Sequence, residues 1–286
     1  MTKLSPRNLD HVVFPVPNLE IARERLTSLG FTVAPDARHK FGSENACVFF
    51  ENGTFFEPLA IGHRETVEAD IMKGNNFLRR DAAYRFRNGD DGFSMVVMGD
   101  KDPVAQRKAI KKAGYQTGKT VIVRRPGVKV HLAFIIDERA PDCSFFLCER
   151  PDGPPSFPAE MTDHANGAKA IGQVTLHEHL PEDFQYYQQF ASGEREVRSH
   201  SFGMDIELPN TTLSTYTDAG MKAHYGVEGL PQRRGLKARA VDVIVSDLGK
   251  VADLLKKNGV EARTVGKRLI VDPAEGQGAI IAFVEG

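Results

Sequence analysis

The chain repeats one pattern four times: an apolar run typical of a β-strand, a short amphipathic helix, and a glycine followed by a β-prone stretch. The apolar runs that open the copies are Leu9 to Phe14, Gly92 to Val97, Ile171 to Leu176 and Ala240 to Val245. The glycines that end the helices are Gly30, Gly114, Gly193 and Gly259. Further β-prone runs separated by Gly, Asn or Asp follow the helices, so each copy predicts a βαβββ unit. Repetition of a whole supersecondary unit predicts an α+β fold assembled from four like parts.

Capping residues mark the helix ends. Asn18 is a good N-cap for the first helix, and Asp102 followed by Pro103 opens the second. In the fourth copy we expect Ser246 to be the cap. The third copy is less regular, and its helix is expected after Pro181.

A Pro- and Gly-rich connection separates the second copy from the third. It runs Pro151-Asp152-Gly153-Pro154-Pro155 and continues as a polar stretch to Asn166-Gly167. Such density of Pro and Gly favours a surface connection over core structure. We therefore expect two domains, residues 1–155 and 168–286, each holding two units.

The composition of the chain limits the classes of partner and the cellular compartment that we expect for it. With 41% hydrophobic and 26% charged residues among 286, it can bury a substantial core. A net charge of −1 gives no electrostatic case for nucleic acid or an anionic membrane, and no apolar stretch approaches a membrane span. A cytoplasmic protein is expected. Its three cysteines, Cys47, Cys143 and Cys148, do not form a metal-type pair and are interpreted as buried structural thiols.

The repeated units and several of their motifs resemble a known superfamily. Four βαβββ units resemble the vicinal oxygen chelate superfamily, in which paired units curve into an open barrel around a metal site. The first copy resembles the superfamily's opening pattern at Leu9 to Val13, His39 to Asn45 and Gly53 to Leu59. Phe145 to Cys148, His164 to Ala168 and Ile171-Gly172 are similar to its glyoxalase-like branch. The resemblance implies two open barrels of the glyoxalase and dioxygenase type.

His11 and Glu57 are the candidate metal ligands, and Glu57 is also the candidate catalytic residue. Each lies in an otherwise apolar strand, where a buried imidazole or carboxylate needs a partner. Imidazole nitrogen and carboxylate oxygen suit a divalent ion, with Zn, Fe, Mn and Ni left open. The alternatives are that the two side chains only bond to each other, or that Glu57 points to solvent.

The other copies do not supply an obvious third ligand. Ser94 or a neighbour matches His11, and Leu147 matches Glu57, while Glu149 or the loop residue His39 could complete the set. In the third copy Gln173 matches His11, so the C-terminal pair is expected to be degenerate.

His177 and His179 can point to one side of a strand. A metal role is one interpretation, and a polar strand end before Pro181 is favoured over it.

Two functions from different classes are compatible with the sequence. The first is a metal-dependent lyase, isomerase or dioxygenase that acts on a small oxygen-chelating substrate at the N-terminal barrel. The second is a metal-free protein that binds or sequesters a small molecule. Candidate lining residues are Phe49, Phe55, Phe93 and Phe145, although the same rings are at least as plausible as core. Units could pair within one chain or exchange between the two chains of a homodimer.

Overall fold

A computed structural model describes residues 5–125, 128–228 and 234–286. The first sheet contains β1 Leu9–Pro15, β2 Ala37–Arg38, β3 Ser43–Asn45, β4 Val48–Phe49, β5 Phe55–Ile61, β6 Met95–Asp100, β7 Val121–Arg125, β8 Val128–Ile135 and β9 Ser144–Glu149. The second sheet contains β10 Ala168–His177, β11 Arg198–His200, β12 Gly203–Glu207, β13 Thr212–Tyr216, β14 Lys237–Val245, β15 Arg263–Val265, β16 Arg268–Val271 and β17 Ile280–Glu285. The helices are α1 Leu19–Ser28, α2 Arg64–Met72, α3 Asn76–Asn88, α4 Pro103–Lys112, α5 Ala159–Thr162, α6 Gln185–Ser192, α7 Asp218–Tyr225 and α8 Leu248–Lys257.

The four predicted units are confirmed. Each begins with a long strand, β1, β6, β10 or β14, followed by the helix α1, α4, α6 or α8 and by further strands. The first sheet has the order β2-β3-β5-β1-β6-β9-β8-β7, with β4 also paired to β5, and the second has the order β11-β12-β13-β10-β14-β17-β16-β15. In both sheets the first strands of two units pair antiparallel at the centre, while each pairs parallel with the last strand of its own unit. Each sheet is therefore an open, mixed barrel built from two units.

The outer faces of both sheets belong to one core. The largest apolar cluster contains side chains from both sheets and from α1, α4, α6 and α8. Phe31 and Phe283 join the two halves, with ring centroids 5.9 Å apart. The connection at 150–167 carries the short helix α5, and the division into two domains there stays a prediction.

Helices that the sequence analysis did not identify cover the inner faces. Helices α2 and α3 lie between β5 and β6, and α7 lies between β13 and β14, the equivalent place in the second pair of units. Phe77 and Leu78 of α3 pack in the inner cluster of the first sheet, and Met221 and Tyr225 of α7 pack in that of the second. Each barrel therefore has its own helical cover, inserted between its two units.

Two of the three N-cap predictions are confirmed. The side chains of Asn18 and Asp102 each accept a hydrogen bond of 2.9 Å from the backbone three residues on. The Ser246 prediction was wrong, because Asp247 is the cap and accepts from the Lys250 amide at 3.0 Å. The cap lies one residue further along the chain than the sequence suggested.

The part of the chain that the structure describes also bears on two expectations from composition. None of its helices combines the length and apolar character that a membrane crossing requires. Cys47, Cys143 and Cys148 are free and buried, and burial raises the pKa of the Cys143 thiol to about 12.

Two of the helix-ending glycines should differ sharply in tolerance to alanine. Gly193 and Gly259 both have left-handed φ values, +74° and +69°. A Cβ at Gly259 meets nothing within 4 Å, whereas one at Gly193 would lie 1.9 Å from the backbone oxygen of Ser5. We expect Gly259→Ala to cost only the left-handed strain of about 1–2 kcal/mol. Gly193→Ala should lower the free energy of unfolding, measured in urea, by at least twice as much. Equal losses for the two variants would contradict this packing.

Candidate functional site

The register of β1 and β5 places the two predicted ligands on the inner face of the first barrel. His11 pairs with Phe55 and Val13 pairs with Glu57, so His11 and Glu57 lie diagonally on neighbouring strands. Val13 belongs to the inner cluster, whereas Val12 and Phe56 belong to the outer core. His11 and Glu57 are only 5% and 6% exposed. Neither side chain faces bulk solvent.

His11, Glu57 and His39 converge. The distance between His11 Nε2 and Glu57 Oε2 is 3.3 Å, and His39 Nε2 lies 3.9 Å from Glu57 Oε1. Asn45 Nδ2 donates a hydrogen bond to the same Oε1. The carboxylate of Glu57 therefore lies between two imidazoles, with one oxygen directed to each.

A second carboxylate supports His11 from behind. Asp10 Oδ1 lies 2.5 Å from His11 Nδ1, which fixes the ring with Nε2 toward Glu57. Arg150 holds Asp10 with two hydrogen bonds, 2.6 Å from Nε and 3.0 Å from Nη2. Histidine ligands of metals commonly donate their remote N–H to such a carboxylate. Asp10 thus positions His11, and Arg150 positions Asp10.

The charges of the site follow from these contacts. Burial alone would lower the pKa of His11, but its hydrogen bonds and charge interactions with Asp10 and Glu57 raise it above 6.5 overall. Burial alone would raise the pKa of Glu57, but His11, His39 and Asn45 lower it to about 2. Glu57 is therefore an anionic carboxylate at neutral pH, as a metal ligand must be. The raised pKa of His11 favours the imidazolium, whose proton a bound metal would displace.

The spacing of His11 and Glu57 fits a divalent ion. A charge-assisted hydrogen bond is about 2.7–2.9 Å long, so the 3.3 Å separation of His11 Nε2 and Glu57 Oε2 is long for one. Two ligand atoms about 2.1 Å from one ion at a tetrahedral angle lie about 3.4 Å apart. Two imidazoles and one carboxylate also match the donor set of many catalytic sites that keep open positions.

His11, His39, Asn45 and Glu57 line a largely aromatic cavity of about 200 Å³. Its other walls are mostly apolar and include Phe41, Phe49, Phe55, Phe77, Phe146, Phe157, Val123, Val130, Leu132, Cys47 and Cys148. Phe55 stacks on His11 with centroids 4.3 Å apart, and Phe41 stacks on His39 at 4.7 Å. These rings hold both imidazoles in place and keep their surroundings apolar.

Of the four phenylalanines expected to line the cavity, the structure brings Phe49 and Phe55 there. Phe93 and Phe145 lie in the outer core instead, and Phe145 packs edge to face on Tyr187 at 5.1 Å. The side of the strand decides the difference, because Phe145 alternates with Phe146 and Cys148 on β9. Phe93 and Phe145 therefore do not border this cavity.

Residues expected from the other copies do not reach the cavity either. Leu147 lies in the outer core, so the inner residues of β9 are its neighbours Phe146 and Cys148. Glu149 pairs with His131 at 2.7 Å, away from the cavity lining.

In the second barrel Gln173 bonds to Tyr216 and Tyr225 hydroxyls at 3.3 Å. Asp242, its neighbour on β14, is buried against Arg268 at 2.8 Å. The equivalent place in that barrel is filled by a hydrogen-bonded network beneath α7.

Sequence reasoning missed several members of the site. Asp10 was not assigned to the site, and Arg150, Asn45 and Phe157 were not singled out. Phe157 comes from the Pro-rich connection and stacks on Phe49 at 4.1 Å. Asp10 and Asn45 carried a signal, because both lie in segments that resemble the superfamily pattern.

Solved structures with the same fold cover nearly the whole chain. A hypothetical protein from Staphylococcus aureus matches with a TM-score of 0.64 and 12% identity over 97% of this chain and 99% of that one. A triple mutant of 4-hydroxymandelate synthase from Streptomyces coelicolor matches with a TM-score of 0.64 and 13% identity, covering 98% of this chain and 92% of that one. 2,2',3-Trihydroxybiphenyl 1,2-dioxygenase from Sphingomonas wittichii matches with a TM-score of 0.55 and 11% identity, covering 99% of this chain and 91% of that one. At these identities the likeness shows the fold alone.

A sequence comparison supplies the family. No curated protein matches the chain. The family profile described as a glyoxalase-like domain matches residues 9–189, more than half of the chain, and this span contains the whole of the first barrel. The chain therefore belongs to the glyoxalase-like domain family of the vicinal oxygen chelate superfamily.

Proposed function

We propose that the protein is a metal-dependent enzyme of the lyase, isomerase or dioxygenase kind, acting on a small oxygen-chelating substrate in the first barrel. The observation that carries the proposal is that His11 and His39 both approach the buried Glu57 carboxylate in the lining of a largely apolar cavity. Three groups that need polar partners would be costly there without a function, because the burial of charged groups opposes folding. His11, His39 and Glu57 would hold the ion.

The proposed ion supplies Lewis-acid chemistry, which stabilises negative charge that develops on a substrate oxygen. The protein supplies the surroundings. Asp10 keeps the lone pair of His11 Nε2 directed to the cavity, and Asn45 keeps one oxygen of Glu57 oriented. The phenylalanine walls hold an apolar or aromatic substrate body and exclude water, which strengthens every charge interaction inside. Glu57 is the proposed catalytic residue, as the anionic carboxylate of the cavity.

The substrate class can be tested with a probe that offers two neighbouring oxygens on an aromatic ring. Catechol should bind to the protein loaded with Co²⁺ and change the visible spectrum of the metal. It should bind at least tenfold more weakly to the metal-free protein. Equal binding to both forms would contradict the proposed chelation and would favour the second function.

That second function is metal-free binding of a small molecule in the same cavity. The observation in its favour is that His11 and Glu57 have protein partners on every side, Asp10, Asn45 and each other. A pair with these hydrogen bonds is stable without a metal. In this alternative the cavity binds aromatic probes equally well before and after treatment with a chelator.

The cytoplasmic location and the homodimer stay predictions.

Asp10→Asn provides a graded test of the positioning role. The amide keeps the shape of the side chain but loses the charge that backs His11 and pairs with Arg150. Loss of such a supporting carboxylate typically weakens metal affinity about 10–100-fold without abolishing it. Competition with a chelator of known affinity measures this. An unchanged affinity in a folded variant would show that Asp10 does not act through His11.

A further inference from the structure

A second group of metal-ligating side chains lies where β10 ends, outside the cavity. His177 is the last residue of β10, His179 follows it by two, and Asp218 opens α7. Among the residues that the structure describes, one ligand atom from each of these three lies within 4.8 Å of the other two. The fold thus brings together a strand end and a helix start that are far apart in sequence.

Both imidazoles are turned to one carboxylate oxygen. His177 Nε2 lies 2.7 Å and His179 Nδ1 lies 3.2 Å from Asp218 Oδ1. The two rings meet edge to face with centroids 5.2 Å apart. His177 is buried, whereas the side chains of His179 and Asp218 are 21% and 44% exposed. An ion can therefore approach from solvent on the side of the latter two.

The elements that carry these side chains are held in place. Glu178, which separates the two histidines in the sequence, is buried. Its carboxylate accepts hydrogen bonds from the His179 amide at 2.9 Å and the Gly235 amide at 2.5 Å. Its carboxylate is used by the backbone and is not a ligand. Thr217, the residue before Asp218, is the N-cap of α7 and accepts a hydrogen bond from the Gly220 amide at 3.3 Å. These hydrogen bonds fix the backbone that carries the three side chains.

We propose that His177, His179 and Asp218 form a second cation site, for Zn²⁺ or a similar borderline divalent ion. Two imidazole nitrogens and one carboxylate oxygen are the ligands that such ions prefer, and three protein ligands leave room for water. The ion links the N-terminus of α7 to the end of β10. Since Met221 and Tyr225 of α7 fill the inner face of the second barrel, the ion stabilises the cover of that barrel.

This site is the weaker of the two. Within the described part of the chain, His177 Nδ1 and His179 Nε2 are buried without a hydrogen-bond partner. At the first site the remote nitrogen of His11 has Asp10. Because a supporting acceptor is typically worth about 10–100-fold in metal affinity, we expect at least a tenfold weaker site here.

The test uses the full chain with His11→Ala and Glu57→Gln, so that the first site is removed and the proposed function is not at issue. Equilibrium dialysis and the visible spectrum of Co²⁺ should show one bound equivalent in this double variant, and Zn²⁺ should raise its Tm. Adding His179→Ala should weaken Co²⁺ binding at least tenfold and abolish the Tm shift. Adding Asp218→Asn, which preserves the side-chain shape, should do the same.

His200→Ala is the matched control. His200 also lies 3.2 Å from a carboxylate, that of Asp205, and its side chain is 27% exposed. In the double-variant background it should leave Co²⁺ binding and the Tm shift unchanged. If the double variant binds no Co²⁺, or if His179→Ala and Asp218→Asn bind it as well as their parent, the inference is overturned.

Discussion

His11→Ala and Glu57→Gln should each abolish retention of the metal at the first site while the fold persists. Structural zinc sites have total binding free energies of roughly 10–16 kcal/mol over about four ligands, so one ligand is worth about 3 kcal/mol, or more than 100-fold in affinity. Glu57→Gln also removes the charge that offsets the ion. Metal analysis of protein dialysed at a low free metal concentration should give one tight equivalent for the wild type and none for either variant.

The chain offers a matched control for this prediction. His131 and Glu149 form a similar pair at 2.7 Å on the same sheet, away from the cavity lining. His131→Ala and Glu149→Gln should keep the tight equivalent. Equal metal content in the wild type and in the His11 and Glu57 variants would refute both residues as ligands.

Tyr187→Ala should give the largest loss of stability among single substitutions at the contact between the two halves. Tyr187 of α6 is buried, donates a hydrogen bond of 2.7 Å to the Ile135 carbonyl, and accepts one of 3.3 Å from the Phe145 amide. Removing a buried aromatic ring costs about 3–5 kcal/mol. At about 2–4 °C per kcal/mol, Tm should fall by roughly 10 °C.

Its neighbour Tyr186 is the control, since it lies on the same helix but is 58% exposed. Tyr186→Ala should shift Tm by only a degree or two. Tyr187→Phe, which removes only the hydroxyl, should cost about 1 kcal/mol. Equal losses for Tyr186→Ala and Tyr187→Ala would contradict the packing of α6 against the first sheet.

The fold could be predicted from the sequence because each unit contains its own signals. The period-2 runs, the N-caps and the glycine stops are local, and their fourfold repetition reduces the effect of any single error. The unit with the weakest signals, the third, also has the least regular helix, a 3-10 turn at Pro181–Phe184 before α6. Helices α2, α3 and α7 were missed because they lie between units, where the repeat gives no information.

The site could be predicted only where strand parity was certain. On β1 and β5, His11 and Glu57 stood out as polar residues in apolar strands, and both face inward. On β9 every candidate was apolar or at the strand end, so the inner residue was placed one position off, at Leu147 instead of Phe146 or Cys148. Arg150 and Phe157 reach the site through tertiary contacts, which no local pattern reports, whereas Asp10 is the chain neighbour of His11.

The two barrels differ in structure at the same point of the repeated architecture. In the first, α2 and α3 leave a cavity above His11 and Glu57, whereas in the second Tyr225 of α7 reaches Asp242 with a hydrogen bond of 2.8 Å. The same insertion point thus gives a covered cavity in one barrel and a closed core in the other. A site that needs an open position for substrate fits only the first.

We propose that one ion lies between His11, His39 and Glu57. This is tested by an anomalous difference map from crystals of the wild-type protein grown with an equivalent of Zn²⁺. We expect the strongest peak at bonding distance from His11 Nε2 and a Glu57 oxygen. A map with no peak there, from protein shown to hold stoichiometric zinc, would contradict the proposed site.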